Sequence, residues 1–287
     1  MNICIIGTVC IDKNVSENAS YTSAGSPAMF MHKIFNQFND CNVSIVASYG
    51  PDFLRYLNGV NIFPKQPNCE KTLVYENVSN AGFRTQKSYN RDNAFAVDLD
   101  NSIVEVLRQA DIVFFAPQQP IYTKEYIKSI VTNLKPDTLR VLLPQGFYRN
   151  FDAENNVLVR KFTESKDILP LMDIVIVSEQ DSLNMVGQAK EWSSNMKLIS
   201  VVTLGASGAV AFKNDEEIML PATPVPEEEI IDSVGSGDIF SASFAYRYRQ
   251  TDNIKEAGRF ANAVARQCLF YPADSIKIDL EKCLPKT

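Results

Sequence analysis

Asp238 closes the run Gly235-Ser236-Gly237-Asp238, and Ile239, Phe240, Ser243, Phe244 and residues 246–248 follow it with apolar positions at near-helical spacing. The run therefore predicts the first turn of a helix. Amides there have no partner within the helix and lie at the positive end of its dipole, which suits an anion. Two glycines keep Cβ atoms out of the approach, and an aspartate beside them can take a proton from an attacking hydroxyl. Together these groups offer an anion cradle and a base, the parts that phosphoryl transfer needs. The same run also reads as a plain capped turn. It is not a Walker A loop, because no Lys-Ser or Lys-Thr follows the glycines, and it lacks the dinucleotide fingerprint.

Stepping outward, short β-branched and aromatic runs at 3–6, 43–48, 112–115, 140–143, 174–177 and 198–203 predict buried strands. Helix-like stretches at 28–38, 103–109, 124–134, 181–185 and from Asp238 onward alternate with them. That alternation predicts an α/β fold with a mostly parallel sheet and helices on both faces. Ligands in such sheets lie at the carboxyl ends of the strands, where Gly7, Gly50, Pro117, Gly146, Ser178 and Gly205 fall. Residues 72–76 and 83–89, joined by a turn-rich connection, predict a β-hairpin over about 72–90, either an edge ribbon or part of a lid. No repeat or long linker interrupts the chain, so residues 1–287 are expected to form a single domain.

Composition narrows the partners. A 45% hydrophobic content supports a substantial core, and 28 Lys+Arg against 34 Asp+Glu give a net charge of −6 with no basic run. Nucleic acid is not expected as a partner. Six cysteines without a CxxC pair predict a reduced, cytoplasmic protein, and no apolar run approaches membrane-spanning length. His32 is the single histidine, expected at the surface or in packing, so general-base work must fall to a carboxylate.

The order of these segments resembles the ribokinase-like (PfkB) carbohydrate kinase family over nearly the whole chain. Asp232-Ser233-Val234-Gly235-Ser236-Gly237-Asp238 is similar to that family's Asp-Thr-x-Gly-Ala-Gly-Asp. The resemblance implies a three-layer α/β/α sandwich with a small, reduced β lid, Asp238 as catalytic base, and Gly235, Ser236 and Gly237 as anion hole. Val202-Thr203-Leu204-Gly205-Ala206-Ser207-Gly208 resembles the family's donor-binding turn, implying roles for Thr203, Gly205, Ser207 and Gly208; Asn262 matches a helix position near adenine. Ser178-Glu179-Gln180-Asp181 stands where the family has Asn-x-x-Glu, which implies Mg²⁺ held through water by Asp181 or Glu179, with Ser178 beside the donor. The resemblance also implies a monovalent cation, K⁺, at Asp232.

On the acceptor side, Gly7 to Asp12 resembles the family's first strand with its sugar-binding aspartate, here Asp12, whose carboxylate suits neighbouring hydroxyls. Ala24-Gly25-Ser26-Pro27-Ala28 resembles the Gly-Gly substrate motif. Ala24 replaces its first glycine, and Met29 stands where ribokinase has a sugar-binding asparagine. Pro144-Gln145-Gly146-Phe147-Tyr148-Arg149 and Phe83-Arg84-Thr85-Gln86 resemble the inositol-kinase-like branch, which places Gln145, Arg149 and Arg84 at the pocket. The reading implied is an ATP-dependent kinase, with Mg²⁺, acting on a hydroxyl of a small sugar or polyol, as a monomer or homodimer. A nucleoside kinase and a catalytically silent ligand-binding or regulatory protein on the same fold are the alternatives.

Overall fold

Apolar runs of four to six residues are too short for stable helices and become strands, while longer amphipathic stretches cover them. The computed structural model describes residues 1–16, 20–80 and 83–284; the side chains of residues 16, 79, 80, 83 and 84 lie outside that description. Arg84, predicted at the pocket, is among them. The chain begins with β1 (Asn2–Gly7), β2 (Cys10–Ser16), β3 (Ser20–Gly25), α1 (Pro27–Phe35) and β4 (Asn42–Val46). The short β5 (Ile62–Phe63) leads to β6 (Leu73–Asn80) and β7 (Phe83–Tyr89). Then come α2 (Asn101–Gln109), β8 (Ile112–Ala116), α3 (Lys124–Val131), β9 (Leu139–Leu142), and the small pair β10 (Arg149–Phe151) and β11 (Val157–Val159). The chain continues through α4 (Ser165–Ile168), β12 (Ile174–Ser178), α5 (Met185–Met196), β13 (Ile199–Thr203), β14 (Gly208–Lys213) and β15 (Glu216–Pro221). It ends in α6 (Ser236–Thr251) and α7 (Ile254–Cys268).

Nine strands form one sheet in the order β15-β14-β13-β12-β9-β8-β1-β4-β5. Pairing is parallel from β5 to β13, and β14 and β15 close the far edge antiparallel. Alternate residues of each strand feed opposite layers, as the two-residue period of a strand requires. Ile3, Ile5 and Phe114 face α1, α6 and α7 through Phe35, Phe244 and Phe260. Cys4, Ile6 and Phe115 face α2, α3 and α5 through Leu107, Ile127 and Trp192. This is the three-layer arrangement the alternation predicts.

A separate four-stranded sheet, β3-β2-β6-β7, springs from the carboxyl end of β1. The predicted hairpin is present as β6 and β7, paired from Val74↔Tyr89 to Asn80↔Phe83. The dozen residues between Asp12 and Gly25 hold a second hairpin, because β2 folds back on β3 and pairs with β6 in parallel. Helix 181–185 is corrected. Ser178 and Asp181 close a single 3-10 turn, Ser182 is extended (φ −157°), and α5 starts only at Met185.

Helix α6 is the pillar that carries the candidate base, and Phe244 at its centre is fully buried and stacked near Phe240 and Tyr248. Phe244→Ala should cost about 3–5 kcal/mol of unfolding free energy in urea titration, the range for truncating a buried aromatic.

Candidate active site

Helix α6 begins on a left-handed residue, Gly235 (φ 80°), a conformation that costs glycine little. A Cβ there would also lie 2.4 Å from Phe30 Cδ1, so the turn needs glycine twice over. At Gly237 an added Cβ would meet nothing within 4 Å, and the space beside the helix end is open to an incoming group. The Ser236 amide closes a turn on the Ser233 carbonyl at 3.2 Å, and the Ile239 amide caps Gly235 at 2.9 Å. Asp232 shapes the approach, accepting the Val234 amide at 2.9 Å and the Ala273 amide at 3.1 Å.

Asp238, in the first turn of α6, lines a cleft with Pro27, Gln145, Ser178, Asp181 and Thr203. Desolvation pushes its carboxyl up from 3.8 to about 7; Arg149 opposes that rise, and the charges of Asp12 and Asp181 add to it. A carboxylate with an affinity for protons near neutrality is suited to accept one from a hydroxyl. Four separately predicted residues, Asp12, Arg149, Asp181 and Asp238, therefore share one electrostatic neighbourhood.

The side of the cleft predicted to hold the acceptor is built by β2 and the loops at the strand ends. Asp12 is buried, and its carboxylate accepts the Cys10 thiol at 3.3 Å. Gly25 pairs with Cys10 across the hairpin, and a Cβ on it would sit 2.0 Å from Asp12 Oδ2. Glycine at 25 is what leaves room for that carboxylate. Ser26 caps α1, accepting the Met29 amide at 3.3 Å, from a left-handed backbone (φ 102°) that is strained for a non-glycine residue. Gly146 packs against the 117–119 backbone, where an added Cβ would lie 2.5 Å from the Gln119 nitrogen. Arg149 lies over the Tyr75 ring, 4.9 Å from its centre, and donates to the Gln118 carbonyl at 3.3 Å. The Tyr75 hydroxyl donates to that same carbonyl at 2.9 Å.

On the opposite side, Thr203 ends β13 and donates to the Val177 carbonyl at 3.3 Å. Gly208 is left-handed (φ 94°), and a Cβ there would sit 2.3 Å from the Leu220 carbonyl oxygen; Gly205, also left-handed (φ 56°), faces open space. Ser207 is exposed. Asn262 donates its side-chain amide to the carbonyls of Leu220 at 2.9 Å and Pro221 at 3.2 Å, tying α7 to β15. Asp181 accepts the Ser178 amide at 2.8 Å and still lines the cleft, whereas Glu179 is exposed and does not. His32 is buried in α1, its ring beside the Asn36 side-chain amide. Among the described residues no three His, Cys, Asp or Glu side chains converge as a metal cage, and no helix is long and apolar enough to cross a membrane.

A family model described as pfkB family carbohydrate kinase matches residues 48–279. The chain belongs to this family. It is 38% identical over 71 residues to an uncharacterized sugar kinase of Archaeoglobus fulgidus, a match that spans 25% of this chain and 27% of that one. In fold it is similar to a pyrophosphate-dependent kinase in the ribokinase family, complexed with a pyrophosphate analog and myo-inositol (TM-score 0.77, 18% identity, 98% of each chain). It is similar also to Arabidopsis thaliana ribokinase complexed with ribose and ATP (TM-score 0.71, 16% identity, 98% of this chain and 96% of that one). The fold is thus the ribokinase-like α/β fold, with a mostly parallel main sheet and a small separate sheet.

Within this pfkB kinase, sequence reasoning missed Cys10, Tyr75 and Gln118, which surround Asp12 and Arg149. Only the Gln118-Gln119 pair just beyond β8, at a strand's carboxyl end, offered a signal. Two predictions follow from the crowding around Asp12 and Asp238. Gly25→Ala should displace the buried Asp12 carboxylate, lowering the melting temperature through overpacking and weakening binding of an acceptor held there by about tenfold or more, read by thermal melting and acceptor titration. Asp238 favours its protonated form when folded, so its ionisation costs stability progressively from about pH 4 to about pH 7. Asp238→Asn should therefore melt higher than wild type at pH 8, with the gap shrinking as pH falls towards 4.

Proposed function

We propose that this chain transfers a phosphoryl group to a hydroxyl of a small sugar or polyol, with Asp238 as the general base. The observation that carries the reading is the Asp238 carboxyl, pushed up to about 7 beside the open first turn of α6. The acceptor hydroxyl lies between Asp12 and Asp238. As its oxygen bonds to the terminal phosphorus of the donor, its proton passes to Asp238 and the bridging P–O bond breaks, releasing the shortened donor. Amides of the Gly235 to Asp238 turn other than that of Ser236, which is bonded to the Ser233 carbonyl, meet the charge on the phosphoryl oxygens, already oriented before reaction. Arg149, fixed on Tyr75, balances the negative charge gathered by Asp12, Asp181 and the donor. Mg²⁺ arriving with the donor would neutralise phosphate charge, with Asp181 rather than the exposed Glu179 placed to hold its water.

ATP is the donor implied by the resemblance to the family. A second reading, pyrophosphate as donor, is favoured by Asn262: its amide is committed to β15 carbonyls instead of being turned toward a nucleobase. Similarity to a pyrophosphate-dependent kinase supports the same reading. Among acceptors, a cyclic polyol such as an inositol suits Asp12 and Arg149 best, since neither a nucleobase nor an aromatic slot is required.

The test is a screen of inositols, pentoses, hexoses and nucleosides with either Mg·ATP or Mg·pyrophosphate, followed by detection of the phosphorylated acceptor. Turnover of a polyol or sugar is expected; turnover of nucleosides alone would replace the acceptor class, and donor binding without any turnover would mean a silent sensor. Asp238→Asn should lower kcat by about 10²–10⁴-fold while leaving acceptor affinity within a few-fold. Wild-type kcat/KM should rise with pH through about 7 as Asp238 ionises, and the residual rate of Asp238→Asn should lack that limb.

A further inference from the structure

The turn that forms the anion hole rests on a closed ring of contacts from α1 and from the segment after α7. Gly235 lies against the Phe30 ring. One helical turn further along α1, the Lys33 ammonium sits 5.0 Å from the centre of that ring and donates to the Ala273 carbonyl at 2.9 Å. The amide of the same residue, Ala273, donates to Asp232 Oδ2 at 3.1 Å, and Asp232 Oδ1 accepts the Val234 amide at 2.9 Å. Ala273 therefore joins an ammonium to the carboxylate that shapes the turn. Burial lowers the pKa of Lys33, while the charges of Asp274, Asp12 and Asp232 work to keep the ammonium protonated.

A monovalent cation at Asp232 is what the resemblance implies, and the residues present do not fit a diffusible one. Asp232 turns each oxygen to a backbone amide and keeps lone pairs to spare, but the Ala273 carbonyl beside it is occupied by Lys33, and that ammonium would repel a second cation. We propose that Lys33 is a positioning residue whose tethered ammonium takes the place of a monovalent cation. It holds the Asp232–Gly235 turn in the shape that receives the phosphoryl group, and the protein works without added K⁺. Tethering frees the charge from any equilibrium with cations in solution. Lys33 touches neither substrate nor reacting atoms; it acts through Ala273, Phe30 and Asp232.

The inference rests on the kinase reading for its activity arm and has a second, independent readout in thermal stability. Wild type, Lys33→Met and Lys33→Gln are compared in Mg²⁺ buffers whose other cation is tetramethylammonium, K⁺ or ammonium. Wild type should show the same rate and melting temperature in all three. Both variants should lose about 10²-fold in kcat with acceptor KM little changed, and K⁺ or ammonium, but not tetramethylammonium, should recover part of the rate and melting temperature. Lys33→Gln keeps a donor for the Ala273 carbonyl and covers the case in which Lys33→Met fails to fold. Several-fold activation of wild type by K⁺, or variants with wild-type rates in tetramethylammonium, would overturn the inference. If wild type turns over no acceptor, the kinase reading fails and the melting data decide the cation question alone: recovery specific to K⁺ or ammonium in the variants supports it, and no such recovery overturns it.

Discussion

A carboxyl group held near neutrality in its proton affinity at the open first turn of a helix is the constraint on which the proposed chemistry depends. Asp238 is desolvated at the first turn of α6, and the nearby charges of Asp12 and Asp181 raise its proton affinity further. Arg149 keeps the balance from tipping into permanent protonation, and its own geometry is fixed by the Tyr75 ring and the Gln118 carbonyl. The helix dipole and free amides of α6 favour the ionised form and an approaching phosphate alike. A long, tightly packed α6 is needed to hold such a poorly solvated group in place, and the buried Phe240, Phe244 and Phe260 layer supplies that rigidity.

Helix α1 couples the two halves of the site. Its cap, Ser26, stands on a strained backbone directly after Gly25, the residue whose missing side chain makes room for Asp12. Three residues into the helix body Phe30 meets Gly235, and Lys33 reaches Ala273. Movement of α1 would therefore disturb the surroundings of Asp12 and the Gly235 turn together. Rigid elements hold groups that must agree to a fraction of an ångström better than loops do.

The parts that were legible in the sequence are those whose causes are local. Gly235, Gly237 and Asp238 announce a helix start, and the strand periodicity from β1 to β13 announces a parallel sheet. Asp12, Gly25 and Arg149 gained meaning only from resemblance, since nothing local marks a β-strand aspartate as a ligand. The β2–β3 hairpin escaped notice because β3 is mostly exposed and polar and β2 pairs with the distant β6 rather than with a strand of the main sheet. Residues 181–185 carry helical residue types, but the Ser178–Asp181 capping box satisfies one turn and ends there. Lys33 and Tyr75 were invisible for a different reason: each matters through a partner between 43 and 240 positions away, a relation that spacing cannot reveal.

The proton affinity of one carboxyl group decides whether Asp238 can serve as the base. Carbon-13 titration of the aspartate carboxyl resonances, assigned by the signal missing from Asp238→Asn, measures it directly in the unliganded protein. A resonance titrating near 7 is the predicted result, set by burial and only partly offset by Arg149. An Asp238 resonance titrating near 4, like an ordinary solvated carboxylate, would contradict it.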